Sequence, residues 1–208
     1  MKLLSSVLTV AAMAVLAPGA QASVSVRGSC PAVAAVSDFN MTRFEGLWYV
    51  IEVFDKGVAC MEWKIAPMEA DVWHIKETKQ SGYVGEYNGK LTRNDNSSGS
   101  LTVNWDANIG RGFPFTVYAT DYDTYAGAFM CQQVWFFNRQ EGVILSRSPV
   151  LHIAQRQQTR GMLSRYGVEM SYFSKVEQGL CGRTSLPDAG AGSDNKRFDE
   201  YDNLSSDA

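Results

Sequence analysis

Histidine is nearly absent from this 208-residue chain, which has two, His74 and His152. Cysteine is limited to four, none in a C-x-x-C pair, and no H-E-x-x-H or G-x-S-x-G run occurs. A zinc site therefore lacks its usual ligand spacing, and the common signatures of metalloproteases and serine hydrolases are missing. Basic clusters are missing too, since 19 Lys and Arg lie scattered among 22 Asp and Glu for a net charge of −3. Without a cationic stripe there is little to hold a phosphate backbone, which argues against nucleic acid as a partner. Beyond the first residues no stretch is apolar enough to span a bilayer, and the C-terminal residues carry no hydrophobic tail of the kind that signals a lipid anchor.

What is present begins with a leader. Lys2 is the only charge in the first 22 positions, Leu3 to Leu16 is apolar apart from Ser5, Ser6 and Thr9, and Ala20-Gln21-Ala22 offers a small-x-small cleavage pattern. Residues 1–22 are expected to be a secretory signal peptide and residues 23–183 a single domain. Residues 184–208 are rich in Gly, Ser, Asp and Asn, lack the apolar mass to fold, and are expected to form an acidic disordered tail. In an oxidising compartment, Cys30, Cys60, Cys131 and Cys181 are expected to form two disulfides, and spacing alone does not choose among the three pairings. Asn40-Met41-Thr42, Asn96-Ser97-Ser98 and Asn203-Leu204-Ser205 are glycosylation sequons. Asn96, in a polar turn, is the best placed; Asn40 lies where access is doubtful.

From Gly46 to Arg147 the pattern is that of short strands. Leu101, Val103 and Trp105 alternate with Thr102, Asn104 and Asp106, and Phe113, Phe115 and Val117 repeat the period of two. A long strand is expected from about Tyr125 to Asn138. Turns are expected at Asp55-Lys56-Gly57, Ser81-Gly82, Asn94 to Gly99, Asn108-Ile109-Gly110, Asp121 to Thr124 and Gln140-Glu141-Gly142. Eight strands at this spacing suit a sandwich or an up-and-down barrel. The residues from Gln155 to Tyr166 are helix formers apart from Gly161, with Ile153, Met162 and Leu163 as a packing stripe and Gly167 at the helix end. A single late helix followed by a short strand near Ser171–Lys175 favours the barrel. Asn88-Gly89, a strong hairpin dipeptide, falls inside the fourth strand on this plan, with Gly89 a bulge or close-approach residue.

Three short motifs stand in order along these strands. Gly46 and Trp48, within Phe44-Glu45-Gly46-Leu47-Trp48-Tyr49, open the first strand; Thr120-Asp121-Tyr122 lies between two late strands; Arg147 ends the last. Together they resemble the three motifs of the lipocalin family. From roughly Cys30 to Cys181 the chain resembles the apolipoprotein D branch, which also holds insect bilin-binding and crustacean carotenoid-binding members. The resemblance implies an all-β, eight-stranded antiparallel barrel with an N-terminal floor segment and one C-terminal helix. It implies the pairings Cys30–Cys131 and Cys60–Cys181, and Arg147 packed on the face of Trp48 at the closed end. The motif residues are then structural rather than catalytic.

The same resemblance places Met61, Trp63 and Ile65 inward on the second strand, and Leu101, Val103 and Trp105 on the fifth. It does so for Phe115 and Val117 on the sixth, Gln133, Trp135 and Phe137 on the seventh, and Val143 and Leu145 on the eighth. On the third strand the choice between Val72/His74 and Trp73/Ile75 stays open. Trp63, Ile65, Trp105, Phe115, Val117, Gln133, Trp135, Phe137 and Val143 form the expected ligand set, with Gln133 its one orienting polar group. Such an aromatic lining suits a small hydrophobic guest: a lipid, sterol, retinoid, bilin or carotenoid. The alternative is that Trp and Phe fill the cup. Val53 to Ala59 is a short flap over the mouth. The expected function is a secreted carrier that needs no metal and no cofactor beyond its guest. A subunit of a homo- or hetero-oligomeric assembly, using outward aromatics such as Tyr87, Tyr118 and Phe136, is the second reading. An isomerase using His74 is the third.

Overall fold

Closure of one sheet on itself sets the architecture. In the computed structural model, which describes residues 23–80, 84–107, 112–179 and 181, the elements run β1 (Val24–Arg27), α1 (Met41–Phe44), β2 (Gly46–Val53), β3 (Ala59–Glu69), β4 (Val72–Gln80), β5 (Val84–Arg93), β6 (Ser100–Trp105), β7 (Phe113–Thr120), β8 (Tyr125–Val134), β9 (Phe137–Ser146), α2 (Ile153–Ser164), a 3-10 turn at Met170–Tyr172 and β10 (Ser174–Lys175). The expected leader and acidic tail, the Asn203 sequon, and the turns at Ser81-Gly82 and Asn108-Ile109-Gly110 lie outside the described residues. Strands β2 to β9 run up and down, each antiparallel to the next, and β9 pairs back onto β2 to close an eight-stranded barrel. Closure removes the unpaired edges that make open sheets prone to association. The short strands β1 and β10 add to the outside of β9 and β2.

Side-chain alternation then divides the molecule into two apolar cores. Inside the barrel Trp48, Trp63, Ile65, Ile75, Leu91, Leu101, Val103, Phe115, Val117, Val143 and Leu145 are all buried to 1% exposure or less. Outside, Ile51, Phe54, Tyr118, Phe129, Ile144, Leu163, Val168 and Phe173 form the second core, where α2 lies on the barrel wall. Charge helps to hold α2 in place: the buried Glu52 carboxylate lies 3.3 Å from Arg160 and 3.6 Å from Arg156. The third strand resolves to Trp73 and Ile75 inward and His74 outward. Gly89 is a close-approach residue within β5, since a Cβ there would sit 2.8 Å from the Asn104 carbonyl oxygen and 2.9 Å from the Trp105 ring. Both disulfides join the expected pairs, Cys30–Cys131 and Cys60–Cys181.

Three expectations need correction. The long strand from Tyr125 to Asn138 is two strands, turning at Trp135-Phe136, while Gln140-Glu141-Gly142 lies inside β9. The turn carries no Gly, Pro, Asn or Asp; Trp135 itself takes the left-handed conformation (φ 55°), so turn chemistry pointed to the wrong place. Ile153 is 51% exposed, and Thr159 with Leu163 forms the buried stripe of α2 instead. Tyr118 is buried beneath α2 and Tyr87 packs against the inner core, so neither offers an outward interface; Phe136, 71% exposed, does.

The outer core is intolerant of added volume at one point. A Cβ on Gly127 would stand 2.7 Å from Thr159 Cγ2 and closer still to the Tyr118 ring, which is walled in by α2. Gly127→Ala is expected to destabilise by about 1–3 kcal/mol through overpacking, lowering Tm by about 2–10 °C for a domain of this size. Calorimetry beside Gly161→Ala, where a Cβ meets nothing within 4 Å, checks this.

Candidate ligand-binding barrel

One end of the barrel is sealed. The segment before β2 crosses beneath the strands, tied by hydrogen bonds from Val36 N to the Val117 carbonyl (2.9 Å) and from Phe39 N to the Ser97 carbonyl (3.0 Å). It wedges Phe39, Met41 and Phe44 under Trp48 with ring centroids about 5 Å apart, 5.2 Å for both Phe39–Phe44 and Phe44–Trp48. The Arg147 guanidinium lies 3.6 Å from the Trp48 ring centroid. It also donates to the backbone carbonyls of Tyr122 (3.0 Å), Leu47 (2.8 Å) and Arg43 (2.8 Å). Asp121 accepts from the backbone N–H groups of Asp123, Thr124 and Tyr125 and from the Thr124 hydroxyl, and so shapes the turn that presents the Tyr122 carbonyl. Burial works against the Asp121 carboxylate, but these donors hold its pKa below the ordinary value. Thr120 joins the same turn, its hydroxyl accepting from Tyr122 N at 2.8 Å. Gly46 has φ 99°, and a Cβ there would press on the Arg147 guanidinium at 3.3 Å.

Above the seal the lower barrel is filled. Trp63, Ile65, Phe115, Val117 and Val143 face inward and are closed off by one another, each 1% exposed or less, and Trp105 is 4% exposed. Surface remains open towards the other end, where inward positions become polar. Glu77 on β4 is 1% exposed; its Oε2 accepts from Trp63 Nε1 at 2.9 Å, and its Oε1 lies 3.2 Å from Lys79 Nζ. Lys79 in turn stands over the Tyr87 ring at 5.1 Å. Burial opposes the Lys79 charge, but Glu77, with Tyr87 and Asp55, holds its pKa above the ordinary value. On β9, Glu141 shares the inward parity of Val143 and Leu145. It is enclosed by protein yet keeps part of its surface open. Burial first, then the charge of Glu77, pushes its carboxyl up to about 8, against the pull of Lys79 and Arg139. At neutral pH it is a carboxylic acid.

The remaining expected residues lie elsewhere. Gln133 faces outward: its Oε1 accepts from Cys30 N (3.0 Å), and its Nε2 donates to the carbonyls of Gly28, Trp135 and Phe137. Trp135 is 86% exposed at the tip of the β8–β9 hairpin, and Phe137 is 50% exposed at the rim. The cause is the misplaced turn, since ending β8 at Val134 puts the even residues Ala126, Ala128 and Met130 inside. The polar groups that do face inward have a signal in the sequence. Extending the Val143/Leu145 alternation back by two reaches Glu141, and the Trp73/Ile75 choice extends to Glu77 and Lys79. The two histidines stand outside the barrel, His74 Nε2 3.1 Å from Asn88 Oδ1 and His152 capping α2. Asn96 is exposed in the turn between β5 and β6. Asn40 is exposed as well, but its Oδ1 caps α1 by accepting from Arg43 N.

Known proteins share this architecture. Lobster apocrustacyanin A1 superposes with a TM-score of 0.62 at 22% identity, covering 74% of this chain and 91% of that one. Insecticyanin from the tobacco hornworm Manduca sexta gives 0.57 at 20% identity, covering 74% and 88%. In sequence, apolipoprotein D of Bos taurus is 26% identical over 162 residues, 74% of this chain and 85% of that protein, and the Rattus norvegicus protein is 24% identical over 161. This chain has the lipocalin fold and is similar in sequence to apolipoprotein D. No family model matches it. The three motifs thus form a single assembly at the closed end, and the inward-facing polar groups Glu77, Lys79 and Glu141 stand towards the opposite end of the same barrel.

Two variants separate these ends. Arg147→Ala removes the Trp48 contact, worth about 0.5–2 kcal/mol, and leaves three carbonyls without their charged donor; the expected loss of unfolding free energy is about 2–4 kcal/mol. Chemical denaturation measures it. Glu141→Gln acts with the opposite sign. The Glu141 carboxyl titrates near 4.5 when unfolded and near 8 when folded, so the unfolded chain loses its proton first and wild-type stability falls as pH rises between those values. The Gln variant should match wild type near pH 4 and exceed it in Tm by pH 8.

Proposed function

We infer that this lipocalin is a secreted carrier that holds a small hydrophobic molecule in the open end of its barrel. The observation that carries this reading is the contrast between the two ends: one plugged by Phe44, Trp48 and Arg147, the other keeping inward-facing surface at Tyr87, Phe113 and Glu141. Its similarity to apolipoprotein D and the shared fold with apocrustacyanin and insecticyanin support it. Because the lower barrel is packed, the guest sits shallow, with the rings of Trp105, Phe113 and Tyr87 as apolar walls. Of the expected ligand set, we keep Trp105 and Phe137 as direct contacts and assign Trp63, Ile65, Phe115, Val117 and Val143 to the layer beneath. Burying a few hundred Å² of apolar guest at about 25 cal/mol per Å² contributes several kcal/mol, enough for about micromolar binding after the cost of immobilisation. A planar or conjugated guest such as a bilin, carotenoid, retinoid or sterol suits these faces. Secretion with removal of residues 1–22, and an N-glycan at Asn96, belong to the same proposal. No reaction is part of it.

A second reading has its own support. Val134, Trp135, Phe136 and Phe137 are 42%, 86%, 71% and 50% exposed, a continuous apolar prong beside the mouth, and such patches mark contact surfaces. On this reading the protein acts within an assembly.

The deciding experiment is an absorbance spectrum with native mass spectrometry of the protein purified from its natural secretion. The expected result is extra mass, released on denaturation, with a visible band if the guest is a pigment. A mass-exact, colourless protein whose Trp fluorescence is unmoved by retinoids, bilins, sterols and fatty acids would overturn the carrier reading in favour of assembly.

A further inference from the structure

The fold fixes the backbone of the β8–β9 tip and leaves its apolar side chains in water. Trp135 and Phe136 are 86% and 71% exposed, with Val134 and Phe137 beside them. Behind them Gln133 Nε2 donates to the Trp135 and Phe137 carbonyls, and Gly28 N donates to the Phe136 carbonyl. The Cys30–Cys131 disulfide ties the same two segments together. Trp135 takes an unfavourable left-handed conformation (φ 55°) to stand there. Two cations flank the prong. Arg27 lies opposite Phe137 in the β1–β9 ladder, Arg139 is two residues further on, and both are exposed. They are the only charges in residues 23–30 and 131–140. Among the described residues neither forms a salt bridge, and Arg139 donates to Ser23 Oγ alone.

We propose that this prong is the docking site of the chain's own acidic segment Phe198–Asp202, which covers Trp135 and Phe136 and sets its carboxylates against Arg27 and Arg139. Chemistry, reach and size select this occupant. Phe198 and Tyr201 supply rings, and Asp199, Glu200 and Asp202 supply negative charge; Lys196 and Arg197 precede them, and no base follows as far as Ala208. The tether starts from a fixed point, because Cys181 is bonded to Cys60. Tyr49 pairs with both Glu62 and Ser146, so Cys60 lies near the level of Ile144. Phe136 stands eight residues up the hairpin from there, roughly 27 Å at ~3.4 Å per residue. Residues 182–197 span up to roughly 55 Å when extended, so the segment reaches the prong with slack. The prong is also the right size. At about 150–250 Å² for a whole aromatic side chain, its exposed surface is roughly 500 Å². Stable contacts between folded proteins bury about 800 Å² on each partner, so a second copy finds too little here and a short peptide is matched. Tethering then favours a weak contact, since a linker of this kind holds the segment at an effective concentration of about 1 mM. Covered in this way, the prong is masked from outside partners until the segment is displaced.

Trp135 is its own reporter. The other four tryptophans, Trp48, Trp63, Trp73 and Trp105, are 8% exposed or less, so acrylamide, a neutral quencher, acts almost entirely on Trp135. The test compares the intact mature chain with its Phe198→Ser/Tyr201→Ser and Arg27→Gln/Arg139→Gln variants. Each variant should raise the quenching constant by about twofold or more and shift the emission to the red. Raising NaCl from 0.05 to 0.5 M should act in the same direction on wild type, and protection should not change with protein concentration. Equal quenching in wild type and in either variant overturns the proposal. Protection that fades on dilution also overturns it and assigns the prong to a second copy. So does an unprotected Trp135 whose emission shifts to the blue on vesicles of phosphatidylcholine and phosphatidylserine, which assigns the prong to a lipid surface. No guest enters these measurements, so the carrier reading stands or falls separately.

Discussion

The stacking of Arg147 on Trp48 is the contact on which the rest of the barrel depends. A barrel of eight strands has two open ends, and one must be closed if the interior is to hold anything apart from water. Arg147 closes it by reaching four parts of the chain at once: the Trp48 ring, the start of β2 at Leu47, the end of α1 at Arg43 and the turn at Tyr122. No neutral side chain supplies five donors in a planar fork that also stacks on an indole. The other motif residues serve this one. Gly46 gives room for the guanidinium, and Asp121 and Thr120 fix the turn whose carbonyl it binds. Two tripeptides and one arginine, far apart in sequence, are therefore one device.

Closing the barrel has an electrostatic consequence. Once alternation and register are fixed, every second residue of β4 and β9 must point inward, whatever its chemistry. Trp73, Ile75 and Val143 satisfy that demand cheaply. Glu77, Lys79 and Glu141 do not, and their cost is met unequally. Glu77 receives the Trp63 N–H and the Lys79 ammonium. Glu141 receives neither and lowers its cost by retaining its proton. Hydrophobic residues at these positions would make a more stable barrel. Among the described residues these three polar groups face inward towards the open end, whereas the inward residues of the packed lower half are apolar.

Much of this was legible in the sequence. The strand pattern, the late helix and the motif order led to the barrel, and the resemblance led to both disulfide pairs and to the Trp48–Arg147 contact. The failures that bear on the barrel interior share one cause. Turn chemistry alone places the β8–β9 turn at Gln140-Glu141-Gly142 and leaves Trp135-Phe136 in a strand. In the fold the order is reversed, because tertiary contacts hold the hairpin tip without turn chemistry. Gln133 donates to the Trp135 and Phe137 carbonyls, and Gly28 N donates to the Phe136 carbonyl at 2.8 Å. That long-range support is invisible to a reading of neighbours. The error moved Gln133 from the outer wall to the interior and hid Glu141 in a supposed loop, exchanging the orienting polar groups of the site.

The packed lower barrel and the polar upper tier divide the work between stability and selection. Trp63, Phe115, Ile65 and Leu101 spend their apolar surface on one another, which fixes the barrel's diameter and leaves a guest only the upper tier. Shallow burial limits the hydrophobic contribution to a few hundred Å², and apolar burial of that size discriminates poorly among similar guests. Selectivity must then come from the few polar groups at that level. Burial first, and then the charge on Glu77, raises the Glu141 carboxyl, while the Lys79 ammonium pulls the other way. The polar tier is thus one coupled unit: Trp63 holds Glu77, and Glu77 holds Lys79 and raises Glu141.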